Sequence, residues 1–218
     1  TQEEIKFRPF LVKEQKILMI AQESGDESEI ASAVGKLVSG CTFGAMDAKT
    51  SPMFDVEYIF LQLRSKSVGS KIPLTLKCPD DNKTEVEVEV DIDDIQVQTS
   101  VDHSPSVELT DDISINFRYP RLDDMVGVST ELSDFEKTLV MLVECVDSVV
   151  SGGEEINRVD MTREEITEFV DSMDNTQIEN VVKFFDTMPK VGHIIDVINP
   201  KTKKKGEILL EGLESFLA

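Results

Sequence analysis

The stretch "TEVEVEVDI" (residues 84–92) constrains the fold of this chain most, because glutamate and valine alternate through it without interruption. Alternation with a period of two places successive side chains on opposite faces of a β-strand. The preceding stretch "KIPLTLKC" (71–78) also alternates, and "PDDNK" (79–83) has the composition of a turn. The sequence therefore predicts a β-hairpin. Its core-facing residues are Val86, Val88, Val90 and Ile92, and its solvent-facing residues are Glu85, Glu87 and Glu89.

A second window, residues 178–217, repeats the organisation of residues 58–95. Each window begins with an amphipathic helix, a Val-Gly pair and an apolar strand, followed by a turn whose second residue is proline. A lysine-containing loop, a second strand and a short acidic-apolar turn complete each window. The Val-Gly pairs are Val68-Gly69 and Val191-Gly192, and the turns open with Cys78-Pro79 and Asn199-Pro200. We interpret this as an internal duplication of a helix–hairpin unit. The alternative is that any helix followed by a hairpin would give the same pattern.

The cysteine that opens the first turn raises the question of a metal site. A zinc ribbon needs two Cys-x-x-Cys knuckles, but Asp81 stands where Cys78 would need its partner, and Asn199 and Thr202 occupy the corresponding places in the second turn. A calcium loop needs a central glycine, which "DDNKTEVEVEVD" (80–91) lacks. We therefore predict no metal, and ribbon-like hairpins held by packing.

The rest of the chain predicts an α+β protein, in which helical segments alternate with two ribbon-like β-hairpin units and a small antiparallel sheet. Helices are predicted over residues 10–24, 25–41, 51–69, 132–151, 162–173 and 174–189, with Asp26, Ser133 and Thr162 as N-caps. The buried stripe of the first helix is predicted to be Leu11, Ile17, Leu18, Ile20 and Ala21. Extended segments are predicted at 95–99 and 114–120, which would form the small sheet, and a short strand or loop at 154–161. The predicted domains are an N-terminal helical segment (1–69), a hairpin and small sheet (70–120), a second helical segment (121–190) and a C-terminal hairpin (191–218).

The charge of the chain limits its partners. The 43 acidic and 22 basic residues give a net charge of −21, which repels nucleic acid and anionic lipid surfaces. The basic cluster "KTKKK" (201–205) lies between two apolar stretches and is interpreted as a hairpin turn. No stretch of about 18 apolar residues and no secretion-signal pattern at the start are seen, so we expect neither a membrane span nor export. Two interpretations of the acidity stay open: a solvated surface, or a subunit that docks on basic neighbours.

Side chains with catalytic potential do not form a recognisable motif. Cys41, Cys78 and Cys145 are odd in number and widely spaced, which indicates buried, reduced thiols rather than disulfides. His103 lies in a polar loop, and His193 is interpreted as a structural strand residue. Nucleophile-elbow and phosphate-loop patterns are absent. The sequence therefore predicts a protein that is not an enzyme, with no cofactor and no small-molecule substrate.

Two segments resemble a known family. "FRPFLVKEQKILMIAQESGDESEI" (7–30) and "FDVEYIFLQLRSKSVGSKIPLTLKCPDD" (54–81) are similar to the small baseplate hub subunit family of T4-like contractile-tailed phages, and "EILLEGLESFLA" (207–218) is similar more loosely. The resemblance implies a non-enzymatic structural subunit of the virion tail baseplate, assembled in the host cytoplasm. Its implied partners are other hub, wedge and tail-tube proteins, with several copies in a symmetric assembly.

Partner contacts are predicted at Arg8, Phe10, Arg64 and Phe117, because arginine and aromatic side chains are enriched in interfaces. The alternative for each phenylalanine is a place in the core. Exposed hairpin edges also invite an added strand from a partner. Three functions stay open: a structural subunit retained in the baseplate, an assembly chaperone absent from the mature virion, and an acidic adaptor whose partner lies outside the tail.

Overall fold

The structure, a computed structural model, describes residues 4–125 and 132–216 and confirms the predicted α+β class. The helices are α1 (Val12–Ser24), α2 (Glu27–Cys41), α3 (Met53–Val68), α4 (Leu122–Met125), α5 (Asp134–Cys145), α6 (Arg163–Asp171) and α7 (Asn175–Thr187). The strands are β1 (Lys71–Lys77), β2 (Glu85–Asp91), β3 (Gln96–Gln98), β4 (Ser106–Thr110), β5 (Ile113–Phe117), β6 (Val146–Ser151), β7 (Glu154–Asn157), β8 (Lys190–Ile198) and β9 (Lys205–Glu211). Short 3₁₀ turns cover Ile92–Asp94, Arg158–Asp160 and Leu213–Phe216. Within the described part of the chain, no helix has the length and apolar content needed to cross a membrane.

The chain divides into two compact units. Unit 1 consists of Thr1–Gln98 together with Pro189–Ala218, and unit 2 is the continuous stretch Thr99–Met188 between them. Unit 2 is therefore an insertion in the sequence of unit 1. The four domains defined above from sequence patterns stay a prediction, and residues 126–131 of the third lie outside the described residues.

Unit 1 contains both predicted hairpins, with β1 paired to β2 and β8 paired to β9, all antiparallel. The alternating residues of β2 behave as predicted: Val90 and Ile92 are buried, Val86 and Val88 are half-buried, and the glutamates are exposed. Strand β3 adds to the other edge of β8, so that the second hairpin forms a three-stranded sheet in the order β3-β8-β9.

The helices of unit 1 supply many of its buried side chains. Helix α2 begins at the predicted N-cap Asp26, whose carboxylate accepts hydrogen bonds from the Ser28 and Glu29 amides. The long helix α3 is the most buried of the three helices, with Phe60, Leu61 and Leu63 fully enclosed. Burial of such side chains is the main source of stability in a domain of this size.

Unit 2 packs α5, α6 and α7 with a four-stranded antiparallel sheet in the order β4-β5-β6-β7. Its fully buried core residues include Ile115, Leu142, Ile166 and Phe184. Ser133 and Thr162 cap α5 and α6 as predicted, each in a reciprocal box with the glutamate three residues later.

Two predictions about these elements are wrong, and one strand was not predicted. The helix predicted over 132–151 ends at Cys145, and Val146–Ser151 is strand β6, because its β-branched residues pair with β5 and β7. The segments 95–99 and 114–120 do not share a sheet: β3 pairs with β8, whereas β5 lies between β4 and β6. Strand β4 was not predicted, although "SVELT" (106–110) alternates polar and apolar residues as a half-buried strand does.

The hairpin duplication extends to the register of the strands. Seven residue pairs join β1 to β2, from Lys71↔Asp91 to Lys77↔Glu85. Seven pairs also join β8 to β9, from Gly192↔Glu211 to Ile198↔Lys205. Each ladder is closed at its base by a matching backbone bond, from Ile92 N–H to Ser70 O in the first and from Gly212 N–H to Val191 O in the second. In the structure Ser70 and Val191 therefore occupy equivalent positions. The sequence pattern matched Val68 with Val191, which is wrong by two residues.

Candidate functional site

The first hairpin ends in a turn that is closed by two backbone hydrogen bonds. The Cys78 amide donates to Thr84 O over 2.8 Å, and the Asn82 amide donates back to Cys78 O over 2.9 Å. Asn82 adopts a positive φ of 51°, a conformation that asparagine tolerates better than most residues. The Asp81 carboxylate holds the turn from inside by accepting from the Lys83 and Thr84 amides.

The turn of the second hairpin is closed by a similar pair of backbone bonds and is one residue shorter. The Asn199 amide donates to Lys204 O and the Lys203 amide donates to Asn199 O, each over 2.9 Å. Lys203, four residues after Asn199, has a positive φ of 62°. Asn82, four residues after Cys78, also has a positive φ. The predicted match between the two turn openings is therefore found in backbone bonds and not only in composition.

Side chains from the two turns bond to each other. Asn199 Nδ2 donates to Asp80 Oδ1 over 2.7 Å and to Asp81 Oδ2 over 3.2 Å, and Thr202 Oγ1 donates to Asp80 Oδ2 over 2.6 Å. We call these four residues, Asp80, Asp81, Asn199 and Thr202, the tip clasp. Asn199 is only 1% exposed, and its Oδ1 also accepts from the Lys201 and Thr202 amides. The tip clasp thus joins two hairpins that lie far apart in the sequence.

Hydrogen bonds in the tip clasp favour charged carboxylates. The pKa of Asp80 is lowered, first by the bond from Thr202 and then by the bond from Asn199. The pKa of Asp81 is also lowered, mainly by the side chain and amide of Thr84. Beside them, burial and then the two aspartates raise the pKa of the Cys78 thiol, so this cysteine stays protonated at neutral pH.

The side chains at the four knuckle positions do not fit zinc. Tetrahedral zinc needs thiolate, imidazole or carboxylate ligands that present lone pairs. Asn199 and Thr202 instead direct polar hydrogens at the aspartates, and Cys78 keeps its proton. Among residues 4–125 and 132–216, no three histidine, cysteine or acidic side chains form a group that could hold a metal ion. Hydrogen bonds join the two turns in this chain.

A glycine allows the turns to approach each other. A Cβ atom added to Gly206 on β9 would lie 2.5 Å from Cγ of Pro79, which is closer than carbon atoms can approach. Because the proline ring is rigid, the second hairpin would have to move away from the first.

We therefore expect Gly206→Ala to lower the free energy of unfolding by about 1–3 kcal/mol. Gly40→Ala is the matched control, since nothing lies within 4 Å of its Cβ position in helix α2. That control should raise stability by about 0.5–1 kcal/mol, because alanine is the better helix former. Urea unfolding of both variants measures the two effects, and a neutral Gly206→Ala would contradict the close approach of the hairpins.

Arg8 and Phe10 fasten the extended N-terminal segment to unit 1. The Arg8 guanidinium donates to both carboxylate oxygens of Glu14 over 3.0 and 2.7 Å, and Glu14 also accepts from the Leu11 amide. The bond from Arg8 lowers the pKa of Glu14 to about 2. Phe10 is buried, and its amide donates to Ser67 Oγ on α3.

The other two predicted contact residues have different environments. Arg64 is half-buried on α3, and burial lowers its pKa. Phe117 lies in the core of unit 2, with its ring stacked on Phe184 at 5.0 Å between centroids. Of the four residues, Arg8 and Phe10 lie together in the N-terminal segment of unit 1. A partner contact at any of the four residues stays a prediction, and burial favours a packing role for Phe10 and Phe117.

An exposed apolar surface on α1 was missed by the sequence analysis. Of the predicted buried stripe only Leu18 and Ala21 are buried, and Leu11, Ile17 and Ile20 are exposed. We call Val12, Ile17, Met19 and Ile20, all of them exposed, the α1 apolar surface. The signal was present in the sequence, because apolar residues at these spacings cover more of the helix than one face. Contiguous exposed apolar side chains on a protein surface mark interaction sites more often than chance.

The cysteine and histidine side chains are buried or half-buried in the fold. All three cysteines are buried and free, as predicted, and burial raises the pKa of Cys145 to about 12. His103 lies between Thr187 Oγ1 and Tyr119 OH, at 3.1 Å from each, and burial lowers its pKa. His193 is a half-buried residue of β8, as predicted, opposite Leu210.

The comparisons with known proteins agree with the resemblance described above. No curated protein and no solved structure matches the chain. The family model described as "T4 bacteriophage base plate protein" matches residues 1–218, which is the whole chain. The chain belongs to the T4 bacteriophage base plate protein family.

Proposed function

We propose that this chain is a non-enzymatic structural subunit of the hub of a contractile phage tail baseplate, where it binds other hub, wedge and tail-tube proteins. The observation on which the proposal rests is the family match over the full length of the chain. A structural role is consistent with the described side chains, since the buried thiols are held protonated and the carboxylates of the tip clasp are occupied by hydrogen bonds.

The geometry of unit 1 supports docking on neighbouring proteins. The N-terminal segment is fixed by Arg8 and Phe10, and it leads directly into the α1 apolar surface. A fixed segment loses little conformational freedom when a partner covers it, which favours binding. Helix α1 also contains two basic residues, Lys13 and Lys16, although the net charge of the whole chain is −21.

Replacing Val12 and Ile20 together by glutamate tests this docking surface. Both side chains are exposed, so the free energy of unfolding should change by less than about 0.5 kcal/mol per site. We expect the amount of the chain in purified tails to fall at least about tenfold, because charged groups at the centre of an interface are left without water. Val101→Glu, at a fully exposed site in unit 2, is the control and should leave incorporation unchanged. Equal incorporation of the unchanged chain, the double glutamate variant and Val101→Glu would exclude α1 as a docking surface.

Quantitative mass spectrometry of tails tests the proposed function itself. The chain should be present in purified tails at a small, fixed ratio to a known tail protein. Presence only in assembly intermediates would identify a chaperone that leaves before maturation. Absence from both would overturn a role in the tail.

A further inference from the structure

Unit 2 contains an apolar groove between its sheet and α6. The groove has a volume of about 480 Å³, and strands β5, β6 and β7 form its floor with Ile113, Val149 and Ile156. Ile166 and Phe169 of α6 form the opposite wall. Val149 and Ile156 are cross-strand partners, and Ile113 lies two residues along β5 from Ile115, the partner of Val149, on the same face of the sheet. Ile156 at the mouth is 44% exposed, which leaves apolar surface open to solvent.

The groove lies at an open edge of the sheet. Strand β7 is last in the order β4-β5-β6-β7, and among the described residues no strand pairs with its outer side. All four residues of β7 are exposed. A peptide in extended conformation can add to such an edge through backbone hydrogen bonds, and alternate side chains then point to the same face.

The groove lies in an acidic part of the chain. Residues 154–168 have six acidic residues against two arginines, for a net charge of −4. Glu155 lies on the other face of the sheet from Ile156, where its carboxylate accepts from Ser148 Oγ. Asp160 and Glu165 line the groove directly. Arg163 is already paired, with Nε 2.7 Å from Oε1 of Glu144. An occupant with basic side chains would therefore meet opposite charge beside an apolar floor.

We infer that β7 and this groove bind an extended segment of another protein, in which an apolar side chain enters the groove and lysines or arginines flank it. The segment adds as a further strand beside β7, and its basic side chains pair with the surrounding carboxylates. The identity of the donor as another tail protein rests on the proposed function, whereas the chemistry of the site does not.

The test uses the purified full chain and a blocked seven-residue peptide of alternating lysine and valine, KVKVKVK. We expect saturable binding below about 1 mM peptide, weakened by added salt. Ile156→Lys places an ammonium group at the mouth of the groove and should weaken binding at least about tenfold. Val159→Lys is the control with the same charge change: Val159 is 91% exposed and does not line the groove. It should bind the peptide almost as the unchanged chain does.

Several outcomes would overturn the inference. No binding at about 1 mM peptide would do so, and equal weakening by the two lysine variants would show only general attraction to an acidic protein. A peptide with glutamate in place of lysine, or with alternate backbone nitrogens methylated, should not bind, and binding of either would exclude the proposed geometry. Because the titration uses the isolated chain, absence of the chain from tails would overturn the proposed function and leave the peptide result unaffected.

Discussion

Phe184→Ala is expected to lower the free energy of unfolding of the chain by about 3–5 kcal/mol. Phe184 is 1% exposed, and its ring is the common neighbour of the rings of His103, Phe117, Tyr119 and Phe185. Its ring centroid lies 5.0 Å from that of Phe117, 5.2 Å from His103 and 5.1 Å from Phe185. Truncation removes the apolar contacts and leaves a cavity that three rings of fixed position fill poorly.

Urea unfolding measures the loss, and labelling of Cys145 with iodoacetamide locates it in unit 2. Cys145 is fully buried in the same core, so its labelling rate should rise with the fraction of molecules in which that core opens. Phe135→Ala on α5 is the matched control, because Phe135 is 59% exposed, and it should change stability by less than about 0.5 kcal/mol. A loss under 1 kcal/mol for Phe184→Ala would mean that the aromatic cluster is not packed as described.

The hairpins were predictable because their signals are local. Alternation from Glu85 to Asp91 determines both the strand and its buried face, and the turn residues around Pro79 and Pro200 determine where each strand reverses. The capping boxes at Ser133 and Thr162 were predictable for the same reason, since a stretch of four residues contains all of the chemistry.

The failures come from residues whose structure depends on distant partners. An apolar stretch such as 146–151 suits a helix or a buried strand equally, and only pairing with β5 makes it a strand. Leu11 and Ile20 fit a buried stripe by spacing, yet only the side of α1 that contains Leu18 and Ala21 is covered, with α2 as its neighbour. The insertion of unit 2 was also not predictable, because β3 and β8 are far apart in the sequence and Gln98 pairs with Lys190 only in the folded chain.

The candidate site was predictable in its parts and not in its contacts. Sequence comparison identified Cys78, Asp81, Asn199 and Thr202 as corresponding positions and showed that they do not form a zinc ligand set. It could not show that the two turns meet, since that depends on the packing of whole hairpins. The bonds of Asn199 to Asp80 and Asp81 are therefore a result of the structure alone.

Asn199→Asp should weaken the tip clasp strongly at pH 7 and much less at pH 4.5. The change replaces an amide that donates to Asp80 and Asp81 by a third carboxylate within hydrogen-bonding distance of both. Like charges in one site raise the pKa of at least one member, so the folded variant binds a proton that the unfolded chain has lost above about pH 4. Its stability relative to the unchanged chain therefore decreases as the pH rises from about 4 to 7, because the lowered pKa values of Asp80 and Asp81 keep both carboxylates of the unchanged chain charged over that range.

Asn199→Ala separates the effect of charge from the loss of hydrogen bonds. It removes the same donors without adding a carboxylate, and should cost about 1–3 kcal/mol relative to the unchanged chain, by the same amount at about pH 5 and at about pH 7. Urea unfolding at pH 4.5 and 7 compares the two variants, and the labelling rate of Cys78 relative to Cys145 in the same molecule locates the opening at the turns. The aspartate variant should be the less stable of the two at pH 7 and should approach the alanine variant at pH 4.5, because a protonated carboxyl can again donate to its neighbours. Equal stability of the two variants at both pH values would mean that the two hairpin turns do not meet in solution.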